Sequence, residues 1–109
     1  MEFVVDLPVP PSVNRRLGPR RFKSKALREW ERDAAILVRA ACRGMFRDPV
    51  EVSIRVNTRQ DVDNFLKSTL DALHNGAAIY DDRLVHRLVV ERDKGIECGW
   101  QRIAVRTIG

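Results

Sequence analysis

The sequence predicts a single-domain α+β protein in which two helices flank a mixed β-sheet. Its length of 109 residues fits one domain with one core. Segments with apolar residues at period two alternate with segments at period 3.6, in the order strand, helix, strand, helix, strand, strand. With 44% hydrophobic and 32% charged residues, the composition is that of a globular chain. We therefore expect residues 1–109 to form one folding unit.

Four segments alternate apolar and polar side chains or are rich in Leu and Val, as half-buried strands are: residues 2–7, 50–57, 84–91 and 101–108. Pro8 stops the first strand because proline cannot donate to a sheet ladder. Residues 93–99 are expected to form a hairpin connection, which makes the last two strands antiparallel.

Two segments repeat apolar residues at three- and four-residue steps, which predicts helices over residues 24–44 and about 64–75. Gly44 closes the first helix, and Gly76 occupies the position where helices often turn left-handed. The central strand, helix and strand are expected to form a right-handed parallel crossover, with Asp61 and Asp63 where the strand passes into the helix.

The charge balance favours a polyanionic partner. The net charge is +5, and binding of phosphates by Lys and Arg releases counterions. No run of about 20 apolar residues could span a bilayer, and no signal peptide opens the chain, so we expect no membrane association and a cytoplasmic location. Cys42 and Cys98 lie too far apart to indicate a zinc site or a disulfide framework.

Residues 15–28 contain seven basic side chains without an intervening acid. Uncompensated positive charges repel one another, so phosphate binding is favoured over a merely solvated loop. The expected DNA-binding residues are Asn14, Arg15, Arg16, Arg20, Arg21, Lys23, Lys25 and Arg59. They are expected to bind the DNA backbone rather than the bases.

Two pairs of aspartates flank the second helix. Asp61 and Asp63 point to the same side while the backbone stays extended, and can then hold one cation; alternatively either residue caps the helix. Asp81 and Asp82 precede the next strand, where acidic pairs are also common turn residues. Four carboxylates would repel DNA unless a divalent cation bound among them, and Mg²⁺ prefers such hard oxygen ligands.

Lys67 shares a helix face with Asn64 and Asp71. A lysine there can hold a non-bridging phosphate oxygen or balance a developing negative charge. The alternative is a solvated ion pair with Asp63 or Asp71 at helical spacing.

A combination of motifs resembles the RusA family of Holliday junction resolvases, and the resemblance covers nearly the whole chain. The motifs are Pro10-Pro11-Ser12-Val13-Asn14-Arg15, Asp61-Val62-Asp63-Asn64-Phe65-Leu66-Lys67, Leu70-Asp71-Ala72-Leu73 and Asp81-Asp82. Where the chain departs from the family pattern, Arg59 and Gln60 supply only one positive charge before Asp61.

The resemblance implies a homodimer whose two active sites nick opposing strands of a four-way DNA junction, with Mg²⁺ or Mn²⁺ as cofactor. It implies that Asp61, Asp63 and Asp82 bind metal, that Lys67 is catalytic and that Asp81 is a supporting acid. Three alternatives remain at this point: a non-catalytic nucleic-acid-binding module, a nuclease acting on RNA or other branched DNA, and a structural interaction protein.

Overall fold

Strands and helices follow the predicted order along the chain. The computed structural model describes residues 1–11 and 24–108. The elements are β1 (Glu2–Pro8), α1 (Lys25–Ala41), β2 (Val50–Asn57), α2 (Val62–Asn75), a short 3₁₀ helix (Asp82–Leu84), β3 (Val85–Arg92) and β4 (Trp100–Thr107). One four-stranded mixed sheet with two helices confirms the predicted α+β class.

The strands lie in the order β1-β4-β2-β3. β2 is parallel to β3 and antiparallel to β4, while β1 pairs antiparallel with β4. β3 and β4 therefore run in opposite directions, as expected, but the predicted hairpin between them is wrong because β2 lies between the two strands. The connection crosses the end of β2, where the Asp93 N–H donates to Val56 O at 2.9 Å and the Gly99 N–H donates to Asn57 O at 2.8 Å.

β2 and β3 are parallel neighbours joined through α2, as the central strand-helix-strand unit requires. The right-handed sense of this connection stays a prediction. The pairing has one irregularity: Val50 is opposite Val85, but Glu51 is opposite Arg87, which leaves an extra residue on β3. From Arg87 onward β3 continues as a regular strand.

The core lies between the helices and one face of the sheet. Its buried apolar side chains come from β1, β2, β4 and both helices: Val5, Leu7, Val52, Ile54, Val56, Ile103, Val105, Leu27, Trp30, Val38, Phe65 and Leu73. Each such side chain contributes roughly 1.5–3 kcal/mol when fully buried. In the described part of the chain, neither helix packs on the opposite face of the sheet, which we call the open face.

Charged side chains pair across strands on the open face. The guanidinium of Arg102 contacts Asp6 at 2.9 Å, and that of Arg106 contacts Glu51 at 2.5 Å. The hydrogen bond from Arg106 lowers the pKa of the Glu51 carboxyl below its ordinary value, against the opposing effect of burial. The arginines of this face are thus largely neutralised within the protein.

Gly76 permits a close approach of the two helices. It does not adopt the left-handed conformation predicted for it, because its φ is −81°, and the neighbouring Ala77 takes the positive φ of 60°. A Cβ atom on Gly76 would lie 2.7 Å from the Cβ of Val38 and 2.8 Å from the carbonyl oxygen of Ala35. The absence of a side chain at Gly76 is therefore what lets the end of α2 pack against α1.

The helix boundaries also differ from the predicted ones. α1 begins after Ser24, whose hydroxyl accepts from Leu27 N–H at 3.1 Å, and ends at Ala41, three residues before Gly44. α2 begins at Val62, two residues earlier than predicted. Within residues 1–11 and 24–108, no helix is long and apolar enough to cross a membrane.

Candidate active site

Asp61 and Asp63 stand at the start of α2. Asp61 is the N-cap residue, but its side chain makes no capping hydrogen bond, and its carboxylate is exposed. Asp63 lies exposed in the first turn, where the helix dipole favours a negative charge. The extended backbone assumed for this pair is wrong, because α2 already begins at Val62. The two carboxylates are therefore not aligned by strand geometry.

Asp81 and Asp82 stand at the other end of α2, before β3. The Asp81 carboxylate caps the 3₁₀ helix by accepting from the N–H of Arg83 at 2.9 Å, and it accepts from the guanidinium Nη2 of Arg83 at 3.0 Å. These hydrogen bonds from Arg83 lower the pKa of Asp81 to about 2. Asp81 thus stabilises a turn, which was one of the two interpretations that the sequence left open for this pair. Asp82 is exposed.

A groove runs along α2 between its first turn and the 3₁₀ helix. It has a volume of about 360 Å³ and is lined by Asp63, Leu66, Lys67, Leu70, Asp71 and Asp82. The structure thus brings three of the predicted catalytic residues, Asp63, Lys67 and Asp82, to one surface. Asp61 and Asp81 are not among the lining residues.

Lys67 lies in this groove with Asp71 as its partner. The Nζ of Lys67 is 3.4 Å from Oδ2 of Asp71, one helical turn away, and the lysine side chain is 85% exposed. An exposed pair at this spacing stabilises the fold by only about 0.3–0.5 kcal/mol. Lys67 can therefore exchange Asp71 for another anion at small cost.

The two acidic pairs lie near opposite ends of α2. Asp61 precedes the helix, whereas the charge of Asp81 interacts with His74 in the last turn. At a rise of 1.5 Å per residue, Asp63 and His74 are separated by roughly 16 Å of helix axis. Among the described residues, no three His, Cys, Asp or Glu side chains form a group that could hold a metal ion.

Exposed carboxylates are nevertheless the ligands that Mg²⁺ prefers, so the donor chemistry fits the expected ion. A metal site built from both acidic pairs stays a prediction.

Arg92 fixes the segment that leads into Asp61. Its guanidinium donates from Nη1 to Thr58 O at 2.6 Å and from Nη2 to Gln60 O at 2.8 Å. The side chain of Gln60 in turn donates to Pro10 O at 2.8 Å. Sequence reasoning missed Arg92, because its contacts are with backbone carbonyls more than 30 residues away, and such contacts leave no local pattern.

The predicted DNA-binding residues are only partly described. Arg59 is exposed in the bend before Asp61, and Lys25 is exposed at the first residue of α1, with its Nζ 3.9 Å from Glu29 Oε1. The remaining predicted contacts lie outside the described residues: Asn14, Arg15, Arg16, Arg20, Arg21 and Lys23.

Comparison with known proteins gives one match over nearly the whole chain. A family model described as Endodeoxyribonuclease RusA matches residues 8–106. The matched region includes both acidic pairs, Lys67 and the groove along α2. No curated protein sequence matches the chain significantly.

Proposed function

This chain belongs to the RusA family of endodeoxyribonucleases, and on that premise we propose that it resolves Holliday junctions by metal-dependent hydrolysis of phosphodiester bonds. The observation that carries the proposal is the groove along α2, which places Asp63, Lys67 and Asp82 on one exposed surface. All three belong to the motifs that the family resemblance predicted.

In the proposed site, Asp61, Asp63 and Asp82 hold Mg²⁺ or Mn²⁺ through carboxylate oxygens, and Asp81 supports them. When bound, the ion would activate water and offset the negative charge of the phosphodiester. Asp81 already orders the backbone at Asp82 through its hydrogen bond to the N–H of Arg83. Because its oxygens already accept from the backbone N–H and the guanidinium of Arg83, Asp81 suits a supporting role.

Lys67 is proposed to bind a non-bridging oxygen of the scissile phosphate. Its ammonium group is exposed and, within residues 1–11 and 24–108, forms a weak pair with Asp71. Exchange of this partner for a phosphate oxygen gives a charge-assisted contact that can strengthen as charge develops in the transition state. The side chains of Leu66 and Leu70 form the apolar part of the same groove.

The substrate is proposed to be branched DNA, bound by two copies of the chain in the cytoplasm. A net charge of +5 supports binding to a polyanion. A two-fold symmetric dimer would match the pseudo-symmetry of a four-way junction and would make paired nicks natural. The alternatives, a non-catalytic binding module and a nuclease for other branched nucleic acids, predict different results in the experiment below.

The test is cleavage of a labelled four-way junction, of a flap and a replication-fork substrate, and of a matched linear duplex, with Mg²⁺ or with EDTA. We expect only the junction to be cut, only with metal, and at least about 100-fold more slowly by Asp63→Asn, with junction binding retained. The matched control is Asp33→Asn, which neutralises an exposed aspartate of α1 beside Arg32. Metal-independent binding without any cutting would instead establish the binding module, and cutting of other branched forms at equal rates would establish the broader nuclease.

A further inference from the structure

The exposed arginines differ in whether the protein neutralises them. Those of the open face are bound by carboxylates, as Arg102 is by Asp6 at 2.9 Å. Three exposed arginines in and after the last turn of α1 form no ion pair with any residue in 1–11 or 24–108: Arg39, Arg43 and Arg47. Positive charges that the protein leaves uncompensated are available to an external anion.

Arg39 lies beside the end of α2. A Cβ atom on Gly76, the residue that caps α2, would be 2.8 Å from the carbonyl oxygen of Ala35 in α1. Arg39 is one helical turn after Ala35 and therefore on the same face of α1. Its side chain thus borders the turn of residues 76–80, which follows α2.

Arg47 lies at the other end of this turn, over the ring of Tyr80. The two segments are joined by backbone hydrogen bonds, in which the Tyr80 N–H donates to Phe46 O at 3.0 Å. The Cζ atom of Arg47 is 5.3 Å from the centroid of the Tyr80 ring, and Tyr80 is 59% exposed. Cation–π attraction orders the guanidinium without neutralising its charge or occupying its N–H donors. Arg47 is therefore both ordered and available.

We call Arg39, Arg43, Arg47 and Tyr80 the arginine surface. It adjoins the groove along α2, because Tyr80 is two residues before Asp82, a lining residue of the groove. Two residues span at most roughly 7 Å of chain. Arg83, the arginine next to Asp82, is already bound by Asp81 at 3.0 Å. An anion that extends beyond this end of the groove therefore meets the arginine surface.

Backbone phosphates of DNA fit such a surface. The N–H donors of a guanidinium match two oxygens of one phosphate. A DNA strand also repeats its charge about every 3.4 Å along the helix axis, so a strand bound in the groove carries further phosphates past the groove's end. One polyanion can thus occupy the groove and the arginine surface together.

We propose that Arg39, Arg43 and Arg47 bind backbone phosphates of one DNA arm as it leaves the groove, and that Tyr80 positions Arg47 for this contact. The choice of DNA as the polyanion rests on the proposed function. These contacts are to phosphates and not to bases, so they add affinity without adding sequence preference.

The surface is tested by fluorescence anisotropy of a labelled four-way junction at several salt concentrations, with EDTA present so that binding is measured without cutting. Arg39→Gln, Arg43→Gln and Arg47→Gln should each weaken binding roughly 10-fold at low salt. Each should also make the plot of log K against log salt concentration less steep by about 0.9 per bound chain, because one phosphate contact is lost.

The matched control is Arg32→Gln, which removes the same charge from α1. Arg32 is exposed but lies 3.6 Å from the carboxylate of Asp33, so its loss should leave the salt dependence unchanged. An unchanged salt dependence in the Arg39→Gln and Arg47→Gln variants would overturn the proposal. An equal loss in Arg32→Gln would also overturn it, since net charge alone would then explain the binding.

The positioning role of Tyr80 is tested with Tyr80→Leu, which removes the ring but keeps an apolar side chain. Binding should weaken by about 2- to 5-fold with the salt dependence unchanged, because the ring orders Arg47 and contacts no phosphate. In an Arg47→Gln background, Tyr80→Leu should have no further effect. A full effect in that background would overturn the positioning role.

The readouts separate this proposal from the proposed function. If wild type binds the junction but cuts none with Mg²⁺, the proposed function fails, and the salt dependence still decides whether the arginine surface binds DNA. If wild type cuts and the three variants bind as it does, the surface fails and the function stands. Loss of poly-glutamate binding with unchanged junction binding would assign the surface to an acidic protein and overturn the proposal.

Discussion

The two ends of α2 present the same kind of residue in different surroundings. At its start, Asp61 is placed as a cap without making the capping hydrogen bond, and Asp63 is exposed. Beyond its end, Asp81 is bound to Arg83, and Gly76 is packed against α1. The difference teaches that an aspartate pair next to a helix does not by itself indicate function. Exposed carboxylates are the ones that a ligand can reach.

The largest expected effect is on junction cutting, and it should distinguish Asp82 from its neighbour Asp81. Asp82→Asn should slow junction cutting at least about 100-fold, since it removes a proposed metal ligand, while changing stability by no more than about 0.5 kcal/mol. Asp81→Asn, the matched control, should reduce stability more than Asp82→Asn does, because it loses the pairing with Arg83. Nicking rates and urea unfolding measure both effects. Full activity of Asp82→Asn would show that the exposed carboxylate of Asp82 is not a metal ligand.

The next effect concerns packing at the end of α2. Gly76→Ala should destabilise the protein by about 2 kcal/mol, because the added Cβ collides with Val38 and with the backbone of Ala35. Gly44→Ala is the control, since its Cβ would meet only the flexible end of Met1 at 3.3 Å. Equal urea midpoints for the two variants would show that the helices can separate without cost.

The third effect is the pH dependence that Asp81 adds. Its pKa is lowered from 3.8 to about 2, so its contribution to stability is present above about pH 3.8 and is lost as the pH falls through 2. The stability difference between wild type and Asp81→Asn should therefore shrink between about pH 5 and pH 2, an interval that brackets the lowering of this pKa from 3.8 to about 2. Urea unfolding of both proteins across this interval tests the sign, and a difference that grew on acidification would contradict it.

The smallest effect is expected at Asp71, which lines the groove but was not predicted as a site residue. Asp71→Asn removes the exposed pair with Lys67, so stability should fall by about 0.3–0.5 kcal/mol. Junction cutting should persist, because Lys67 remains. If cutting falls as far as it does in Asp63→Asn, Asp71 is itself a ligand, and the acidic group extends along α2.

The sequence was sufficient to predict the helices and strands and the faces that they bury. It was not sufficient to predict which strands lie next to one another in the sheet. Alternation in β2 identified Val52 and Ile54 as core residues, because period-two burial is local information. The position of β4 between β1 and β2 depends on long-range pairing, which alternation does not encode. For the same reason, the sequence could not show why residue 76 is a glycine. A left-handed helix end and a close approach to Val38 both require glycine, and the structure shows the close approach.

For the candidate site, the sequence predicted which residues take part better than it predicted how they are arranged in space. The motif predicted Asp63, Lys67 and Asp82, which the structure places on one groove. The extended backbone expected between Asp61 and Asp63 was wrong, because the start of the helix at Val62 was misplaced by two residues. The roles of the individual residues stay predictions until the cleavage experiments are done.

The pairing of β1 with β4 joins segments that are among the most distant in the chain. Glu2 is opposite Arg106, and the Thr107 N–H donates to Met1 O at 3.0 Å. Closing such long loops lowers the entropy of the chain before the stabilising contacts form. Folding is therefore expected to be slower than that of a helical bundle of equal length. During synthesis, β1 must wait without its partner until β4 has left the ribosome, and the core that depends on Val5 and Leu7 can close only then.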